Sequence, residues 1–592
     1  MRVLVGQGSC GIAAGAGKIF AELQKAVNDN QIKADVLCTG CMGACYLEPI
    51  VEVFDDNNNR HTYVRVSLDD VPGLVEKHLI GKTPVSELLI SEEDTGKQKR
   101  QKKVTLRNCG LINPEDIDEY IAVGGYEAAK KYVTELGADA VIANLKTSGL
   151  RGRGGGGFPT WFKWNAGKNS PSDKKYIICN ADEGDPGAFM DRAIMEGDPH
   201  SMLEGMLIGG FAIGADEGII YVRAEYPLAI KRLEIAMKQA REKGYLGKNL
   251  FGSDFNFDIR IKAGAGAFVC GEETALIASV EGKRGMPTLK PPFPTEKGLF
   301  GKPTVINNVE TLANIPWIME KGGEAFAAIG TESSSGTKTF ALTGHVKKTG
   351  LIEIPFGITL REIVEELGGG VTDDNNVLTG GSYKAVQIGG PSGGCLTQEH
   401  IDMPLDYDSL KAVGAMVGSG GIVVMNEYTC MVKIARYFMQ FTQNESCGKC
   451  VVCREGTRQM LALLDDIIDG TATEATITLL QELAETVQIG SLCALGKTAP
   501  NPVLSALRYF RDEVEAHVID KRCPTGNCEA LLSYTIIPEL CKSCTLCAKK
   551  CPVDCISGSK GVPYVIDAEK CIKCGVCMDV CKFNAVVKGK GA

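Results

Sequence analysis

The C-terminal segment contains two cysteine runs that share one spacing. Both follow Cys-x2-Cys-x2-Cys-x3-Cys, with Cys541, Cys544, Cys547 and Cys551 in the first and Cys571, Cys574, Cys577 and Cys581 in the second. In proteins with two iron–sulfur cubes, the last cysteine of each run binds the other cube. The pattern therefore predicts [4Fe–4S] clusters on two sets: Cys541, Cys544, Cys547 and Cys581; and Cys571, Cys574, Cys577 and Cys551. Paired zinc sites are the alternative, and two complete repeats favour iron. We interpret the surplus Cys555 as a packing residue.

A third cysteine group lies upstream, in the segment ESCGKCVVCREG. Cys447, Cys450 and Cys453 have the same three-ligand spacing and open a predicted helix. A cube needs a fourth thiolate, and Cys493 in SLCALG is the best candidate because its loop falls between two predicted helices. We expect a third [4Fe–4S] cluster here.

A fourth group has mixed ligand types and lies between the helical region and the tail. His517, Cys523 and Cys528 fall within HVIDKRCPTGNC, outside every cluster assigned above. Two thiolates and an imidazole suit tetrahedral zinc, which needs one further ligand. Cys430 is our choice, because it starts the first helix of the bundle and can meet a loop that leaves the last one. The alternative is two reduced cysteines and a surface histidine.

The chain that positions these groups has 592 residues, enough for about three to five domains. Its 44% hydrophobic and 23% charged residues are ordinary for a soluble globular protein. A net charge of -9 argues against nucleic acid as a partner. A chain of this size needs no disulfide framework, so its 24 cysteines indicate metal ligands and a reducing compartment. We find no signal peptide and no membrane-spanning stretch, and expect a cytoplasmic protein without a membrane partner.

Hydrophobic patterning divides the chain into a multidomain α/β protein. Residues 1–90 predict a small α/β unit, and the charged stretch 91–103 predicts a solvated linker. Strands alternate with helices over 104–335, which favours a Rossmann-like parallel sheet, and 336–425 suggests a β-grasp-like module. Residues 426–518 predict a four-helix bundle. A short linker, 519–532, carries the possible zinc site, and 533–592 forms the cysteine-rich tail.

A glycine-rich loop lies near the start of the parallel α/β region. LRGRGGGGFPTWFKW has five glycines in the six positions from Gly152 to Gly157, and Arg151 before them and Arg153 among them add positive charge. Backbone N–H groups without neighbouring side chains can approach a phosphate or a flat ring closely. The loop lacks a Walker lysine and the Rossmann glycine spacing, so by itself a flexible surface loop is an equal alternative.

Four further motifs follow the loop in order: ICNADEGDPGAFMDR, GAGAFVCGEETALIASVEGKRGMPTLKPPFP, PTVINNVETLANIP and ESCGKCVVCREG. Over about 104–518 the chain resembles the flavin-bearing, NADH-oxidising (NuoF-like) subunit of respiratory complex I and its hydrogenase and formate dehydrogenase relatives. The complete layout resembles the beta subunit of electron-bifurcating, NAD(P)-linked [FeFe]-hydrogenases. This resemblance implies a thioredoxin-like N-terminal domain, an SLBB-type β-grasp domain at 336–425 and a two-cluster ferredoxin tail at 533–592.

The resemblance also implies the residues that hold the cofactors. FMN would be bound by Arg151, Gly152, Arg153, Gly154, Asn180, Asp182, Glu183, Gly271, Glu272, Asn307 and Asn308. The dinucleotide would contact Phe158, Lys163, Phe268, Glu273, Lys290 and Phe293. Asp185 replaces a glutamate of complex I, and Asn165 and Ala166 stand where an aromatic residue is expected. These departures affect how the nucleotide is bound, so the sequence does not decide between NAD and NADP.

Four cysteines of the N-terminal domain lie where a thioredoxin-like [2Fe–2S] domain keeps its ligands: Cys10, Cys38, Cys41 and Cys45. The Cys41-x3-Cys45 pair matches that family. A second cysteine is usual soon after the first, and CGIAAGAGK has none. We expect Cys38 to substitute. The alternative is a domain that lost its cluster and serves for docking.

The predicted function is a diaphorase subunit that moves electrons between NAD(P)H, FMN and iron–sulfur clusters. A non-catalytic relay or scaffold subunit is the alternative, and the intact flavin and dinucleotide motifs argue against it. No hydrogen-activating signature is present, so a partner must supply the terminal chemistry. The resemblance implies a hydrogenase or formate dehydrogenase large subunit and a small thioredoxin-like [2Fe–2S] subunit, with ferredoxin as a further candidate partner in bifurcation.

Overall fold

The computed structural model describes residues 1–373 and 380–589. They form two compact units, and each is described by itself. The first contains Met1–Gly380 and Val386–Val424, and the second contains Gly381–Ala385 and the chain from Met425 onward. No helix in the described part of the chain is long and apolar enough to cross a membrane.

The first unit begins with a four-stranded sheet of order β2-β1-β3-β4. Its strands are β1 (Arg2–Gly6), β2 (Asp35–Thr39), β3 (Val51–Phe54) and β4 (Arg60–Tyr63). The helices are α1 (Ser9–Ala13), α2 (Ala16–Asp29) and α3 (Val71–Gly73), which continues as a π-helix over Leu74–Ile80. Helix α2 forms because Ile19, Leu23 and Val27 recur every four residues and bury one face against the sheet.

The stretch 91–103, predicted as a solvated linker, contains a helix and no buried residue within it. Residues Glu92–Arg100 form helix α4, whose first turn is capped by the Ser91 hydroxyl accepting from the Asp94 N–H at 3.1 Å. Asp94 also accepts a hydrogen bond from the Tyr46 hydroxyl at 2.7 Å and pairs with Lys348. These polar contacts hold the helix to its neighbours although it has no buried apolar residue.

A four-stranded parallel sheet of order β7-β6-β5-β8 forms the centre of the first unit and confirms the predicted parallel α/β region. Its strands are β5 (Tyr176–Ala181), β6 (Glu217–Arg223), β7 (Asp258–Gly264) and β8 (Thr304–Asn308). The helices are α5 (Ile117–Ala122), α6 (Glu127–Lys131), α7 (Ala138–Ser148), α8 (Thr160–Asn169), α9 (Met190–Gly197), α10 (Pro199–Ile213), α11 (Pro227–Glu242), α12 (Glu273–Val280), α13 (Pro294–Lys297), α14 (Val309–Lys321) and α15 (Gly323–Ala327).

Helix α10 is the most deeply buried of the described helices that pack against the parallel sheet. Almost every residue of the helix is buried, as expected for an apolar helix inside a large core. The Asp198 side chain caps its start by accepting from the Ser201 N–H, and Gly214, with φ of 76°, ends it. The chain then enters strand β6. Because β5 and β8 are parallel neighbours, their carboxyl ends lie at the same edge of the sheet.

The next sheet has five strands in the order β10-β9-β13-β11-β12. They are β9 (Thr337–Gly344), β10 (Gly350–Pro355), β11 (Tyr383–Ile388), β12 (Gly394–Thr397) and β13 (Gly421–Asn426), with α16 (Tyr407–Ala412) between the last two. Strand β10 is antiparallel to β9, and β13 is parallel to it. The sheet lies in the region predicted as β-grasp-like, and its assignment as an SLBB domain stays a prediction.

The second unit consists of a helical bundle and a small tail. The bundle helices are α17 (Met431–Glu445), α18 (Val451–Asp469), α19 (Glu474–Gly490), α20 (Ala494–Thr498), α21 (Asn501–Tyr509) and α22 (Arg511–Val518). The expected fourth helix is divided at Phe510, whose backbone is not helical. The tail contains β14 (Ser533–Ile536), α23 (Leu546–Lys550), β15 (Ile556–Ser557), β16 (Val565–Ile566), α24 (Val576–Asp579) and β17 (Val586–Gly589).

Candidate functional site

The glycine loop is held in one conformation by contacts at both ends. The Gly152 N–H donates to the Phe158 carbonyl at 2.8 Å, and the Arg151 Nε donates to the Gly157 carbonyl at 2.7 Å. Gly157 has φ of 60°, and a Cβ there would lie 2.7 Å from the Tyr407 ring. Only glycine fits this position. These contacts favour an ordered loop over the alternative of a flexible surface loop.

Arg153 supports the loop from inside the protein. Its side chain is buried and donates to the carbonyls of Arg151, Ser335 and Thr337 at 2.7–2.9 Å. The Arg153 N–H donates to the Thr311 hydroxyl at 2.8 Å. This arginine therefore positions the loop, and its guanidinium is occupied by backbone acceptors.

The loop presents hydrogen-bond donors on its outer side. Gly154 and Gly156 are exposed. Within residues 1–373 and 380–589, the N–H groups of residues 154–157 have no protein acceptor. A Cβ on Gly154 would come within 3.0 Å of the Asn308 Cβ, so a side chain would fill the space beside the strand ends. A flat or phosphorylated ligand fits such a cradle of N–H donors.

Polar side chains follow the carboxyl ends of β5 and β8. The Asn180 Nδ2 donates to the Gly271 carbonyl at 2.9 Å, which joins the NADE and GEE segments. Asn307 accepts from the Trp164 Nε1 at 2.7 Å, and Asn308 donates to Asp191 at 2.5 Å while capping α14. These asparagines are thereby fixed around the glycine loop.

Two predicted flavin-contacting glutamates have structural partners. Glu183 is buried and accepts from the N–H groups of Asp191 and Arg192, at the start of α9. Glu272 caps α12 by accepting from the N–H groups of Thr274 and Ala275. Their carboxylates hold the starts of α9 and α12 in place beside the site. Asp182, the residue before Glu183, is also buried.

A charged triad lies beside the loop. Glu273 Oε1 is 2.5 Å from the Lys290 Nζ, and Glu273 Oε2 is 3.5 Å from the Lys163 Nζ. Burial by itself would raise the pKa of Glu273, but the two ammonium groups outweigh it and lower the pKa. Glu273 is therefore ionised at neutral pH and can accept hydrogen bonds from hydroxyl or amide groups of a ligand.

Aromatic residues accompany this triad in the sequence, and the Phe158 ring centroid is 6.0 Å from the Lys163 Nζ. Phe158, Phe162 and Phe293 are each about half exposed, at 51%, 52% and 51%. The Phe158 and Phe162 rings make an edge contact, with centroids 5.8 Å apart. Phe268 is partly buried, and a Cβ on Gly184 would lie 2.7 Å from its ring. Exposed rings beside a charged triad suit the stacking of a nucleotide base.

The sequence did not indicate the contribution of the five-stranded sheet to this site. The Ser419 hydroxyl donates to the Asp185 carboxylate, and the Tyr407 hydroxyl donates to the Gly152 carbonyl at 2.8 Å. Burial raises the pKa of Asp185 to about 6. No local sequence signal marks Ser419 or Tyr407, because both are more than 200 residues from their partners.

The bundle brings its four predicted cluster ligands together. Cys450 precedes α18, Cys453 lies in its first turn, and Cys493 precedes α20. The Leu492 N–H donates to the Cys450 Sγ at 3.4 Å. Burial raises the pKa of Cys453, and the neighbouring thiols of Cys493, Cys450 and Cys447 add to that rise. The loop before α20 therefore returns to the start of α18, as the sequence predicts.

The tail cysteines line two small cavities in the predicted sets. One cavity is lined by Cys541, Cys544, Cys547 and Cys581. The other is lined by Cys551, Cys555, Cys571, Cys574 and Cys577. The last cysteine of each run thus lies with the first three of the other run. Cys555, interpreted as packing, is buried and also reaches the second cavity, with its Sγ 3.4 Å from the Cys551 Sγ.

The four predicted zinc ligands are also together. The ligand atoms of Cys430, His517, Cys523 and Cys528 all lie within 4.8 Å of one another, and all four residues are buried. The Cys430 and Cys528 Sγ atoms are 3.7 Å apart, and each is 3.4 Å from the His517 Nε2. A tetrahedral zinc with bonds of about 2.3 Å to sulfur and 2.0 Å to nitrogen requires separations of roughly 3.8 and 3.5 Å. The geometry fits a single zinc ion.

A backbone contact orients the histidine of this group. The His517 Nδ1 is 2.7 Å from the Glu513 carbonyl oxygen, which leaves Nε2 directed at the thiols. Metal-binding histidines usually have such a partner on the second ring nitrogen. Cys430 comes from the N-cap of α17, and the other ligands come from the end of α22 and the loop after it.

The N-terminal cysteines are only partly assembled. Cys41 and Cys45 have their Sγ atoms 3.7 Å apart, and both thiols hydrogen-bond with that of Cys10, which lowers the pKa of Cys10. Cys38 is elsewhere: its thiol donates to the Asn113 side chain at 3.1 Å. The structure therefore brings three of the four predicted ligands together and does not bring Cys38 to them.

Comparison with known proteins agrees with these sites. Residues 145–317 match the Nuo51 FMN-binding domain, and residues 433–517 match the iron–sulfur binding region of NADH-ubiquinone oxidoreductase-F. Residues 564–587 match a 4Fe-4S binding domain. The first two matches contain the glycine loop, the charged triad and the bundle cysteines.

Similar whole chains extend this agreement. The NADP-reducing hydrogenase subunit HndC of Solidesulfovibrio fructosivorans is 54% identical over 83% of this chain and 99% of its own length. An NADH-quinone oxidoreductase F subunit of Rhizobium meliloti is 46% identical over 71% of this chain and 99% of its own. A crystal structure of an NAD+-reducing [NiFe]-hydrogenase matches with a TM-score of 0.61 and 30% identity, covering 87% of this chain and 85% of that one.

The fold and the sites define an oxidoreductase subunit that combines an FMN-binding domain with 4Fe–4S binding domains. The degree of identity then settles the family. The chain belongs to the family of the NADH-quinone oxidoreductase F subunits, which also includes the hydrogenase subunit HndC.

Proposed function

We propose that this chain is the diaphorase subunit of an electron-bifurcating, NAD(P)-linked hydrogenase complex. FMN, when bound, takes a hydride from the nicotinamide and releases electrons one at a time. The protein binds and orients the two cofactors and carries the electrons away through iron–sulfur clusters. The observation that carries the proposal is the glycine loop with its unused N–H donors, which lies beside the triad of Lys163, Glu273 and Lys290.

The chemistry of the donor set supports FMN at the loop. Backbone N–H groups of residues 154–157 suit a phosphate or a ring edge, and Asn180 and Asn307 add amide groups at the strand ends. Arg153, Glu183 and Glu272 act indirectly in this proposal, because their side chains already have protein partners, mainly backbone groups and, for Glu272, also Lys290. A non-catalytic relay subunit has no need for this arrangement.

The dinucleotide is assigned to the neighbouring surface. Ionised Glu273 accepts hydrogen bonds from ribose or carboxamide groups, and the exposed rings of Phe158 and Phe293 stack on a base. Asp185, which accepts a hydrogen bond from Ser419 and stands where complex I has a glutamate, is proposed as a second carboxylate for the dinucleotide. The similarity to a subunit named for NADP reduction favours NADP(H) over NAD(H).

The cysteine groups supply the electron path in this proposal. Three [4Fe–4S] clusters are assigned to the bundle set and to the two tail sets that line the small cavities. Such clusters exchange single electrons, which matches the way FMN releases them. A [2Fe–2S] cluster at the N-terminal domain would be held by Cys10, Cys41 and Cys45, with a fourth ligand other than Cys38.

A structural zinc completes the assignment. Cys430, His517, Cys523 and Cys528 have the separations of a closed tetrahedral site. The site joins the end of α22 to the start of α17, directly before the tail begins. Zinc has no redox chemistry, so its proposed role is to fix the chain at the point where the tail leaves the bundle.

The expected partners follow from the chemistry that the chain lacks. A hydrogenase large subunit, a small thioredoxin-like [2Fe–2S] subunit and ferredoxin are proposed, and the similarity to HndC favours hydrogenase over formate dehydrogenase. The many reduced cysteines favour the cytoplasm as the location of the complex.

Anoxic purification with mass spectrometry of the co-purifying chains tests the complex. We expect FMN, dye reduction by NADPH or NADH, and a co-purifying hydrogenase subunit. NAD(P)H oxidation by protein that contains no flavin would refute the proposed role of the loop. A formate dehydrogenase partner would refute the hydrogenase assignment.

A further inference from the structure

A cavity of about 570 Å³ lies between the N-terminal sheet, helix α4 and the start of the parallel α/β region. Five of its lining side chains are basic: Arg60, His61, Lys99, Lys103 and Arg107. No aspartate or glutamate is among the described residues that line it. This is unexpected in a chain with a net charge of -9. The cavity belongs to the first unit and contains none of the residues assigned to FMN, nucleotide or metal.

Helix α4 turns its basic side toward the cavity. Its acidic residues Glu93 and Asp94 pair with Lys348, outside the cavity, whereas Lys99 lines it. Residues 95 and 98 line it as well, as expected for one helical face. Glu93 and Asp94 therefore pair with Lys348 on another side of the helix and do not offset the positive charge of Lys99 at the cavity.

The lysine on the inner wall has donors to spare. The Lys103 Nζ donates to the Met42 carbonyl at 2.9 Å, and an ammonium group has three N–H donors. Two of the other basic groups are paired with acids: both contacts of Arg60 go to the buried Glu52, and the His61 Nε2 is 3.5 Å from the Asp55 Oδ2. Lys103 has no ion pair with a described carboxylate, and Glu353 and Glu52 act on its charge only from farther away.

Arg107 also has unused donors. Its Nη1 donates to the carbonyls of Val104 and Ala313 at 2.7 and 3.4 Å. Among the described residues, no protein acceptor is in reach of its Nε and Nη2. The nearby Glu353 has both oxygens occupied, since they accept from the N–H groups of residues 104–106. The described part of the wall therefore offers N–H donors, and both oxygens of the nearby Glu353 carboxylate are already bonded.

We propose that this cavity binds a small polyanion that carries at least two phosphate groups. Its volume lies in the range of ligand pockets, about 300–1,000 Å³. Lys99, Lys103 and Arg107 supply three positive charges, and such charge-assisted hydrogen bonds to phosphate are among the strong ones. Because the walls come from the N-terminal domain and the parallel α/β region, the bound anion stabilises the packing of one against the other.

Isothermal titration of the FMN-loaded, full-length chain with inorganic pyrophosphate tests the proposal. Saturating NADP+ is present, so that the dinucleotide surface is occupied. We expect one pyrophosphate site, with inorganic phosphate binding more weakly. Lys103→Gln and Lys99→Gln should each weaken pyrophosphate binding roughly tenfold, the effect of losing one hydrogen bond to a charged group.

Lys238→Gln is the matched control, because Lys238 is exposed on α11 and does not line the cavity. It should bind pyrophosphate like the parent. Lys99 is exposed at the cavity rim, so Lys99→Gln should fold normally and retain dye reduction. No pyrophosphate binding in the presence of NADP+, or equal binding by the parent and both cavity variants, would overturn the proposal.

Discussion

Replacing Glu273 by glutamine tests the charged triad beside the glycine loop. The substitution keeps the shape of the side chain and removes the charge that lies 2.5 Å from the Lys290 Nζ and 3.5 Å from the Lys163 Nζ. A hydrogen bond to a charged group contributes about 1.5–3 kcal/mol, and each 1.4 kcal/mol is tenfold in rate. We expect kcat/KM for NADH to fall by about 10- to 150-fold.

The same substitution should change the preference between the two nucleotides. Without the Glu273 carboxylate, the Lys163 ammonium group loses its acidic partner and can pair with an additional phosphate, whereas Lys290 keeps its ion pair with Glu272 at 3.1 Å. NADPH carries one more phosphate than NADH, so kcat/KM for NADPH should fall less. The ratio of kcat/KM for NADPH to that for NADH therefore measures the effect of the lysines on the extra phosphate. A general loss of nucleotide binding would lower both values and leave this ratio unchanged.

The assay is anoxic dye reduction at low nucleotide concentration, together with the FMN content of each preparation. Glu234→Gln is the matched control, since Glu234 is exposed on α11. The control should behave like the parent. If Glu273→Gln retains parent kcat/KM at full FMN content, or if the control loses as much, the assignment of the triad to the nucleotide is wrong.

Three further substitutions probe the remaining sites. Cys544→Ala should remove the EPR signal of one cube and block electron delivery to the partner, while dye reduction at the flavin survives; collapse of dye reduction at full FMN content contradicts the proposed electron order. Cys523→Ser should lose about one zinc per chain by elemental analysis, because a closed site needs all four ligands, with iron content near the parent's; retained zinc refutes the site. Asp185 has a pKa of about 6, so it ionises as the pH rises through 6 and becomes a pure acceptor. The kcat/KM for nucleotide should therefore rise with an apparent pKa near 6, and Asp185→Asn should abolish this inflection; an unchanged profile excludes Asp185 as its source.

The metal groups were the most predictable feature from the sequence, because ligand type and spacing are local. The spacing of the cysteines in the tail and from Cys447 onward identifies them as cluster ligands. Cys430 is the predicted fourth zinc ligand because it is an unassigned cysteine at the start of α17. Cys38 was wrongly grouped for a physical reason. It lies on β2, and its thiol is directed to Asn113, which is 75 residues away in sequence.

Residues that act through tertiary contacts were the least predictable. The charge of Arg153 suggested a phosphate contact, but only the fold shows that the carbonyls of Ser335 and Thr337 surround it. Ser91 followed three residues later by Asp94 is a local signal for the start of helix α4. The stretch is nevertheless predicted as a linker because it has no apolar face. Its anchors, Tyr46 and Lys348, come from distant segments.

The central claim is that nucleotide oxidation at the glycine loop feeds the iron–sulfur clusters of the same chain. An anoxic titration of the FMN-loaded protein with NADPH and NADH, followed by visible absorbance and EPR, tests it directly. We expect the flavin absorbance to bleach and reduced cluster signals to appear with the same nucleotide. Clusters that dithionite reduces, together with a flavin that neither nucleotide bleaches, would contradict the claim.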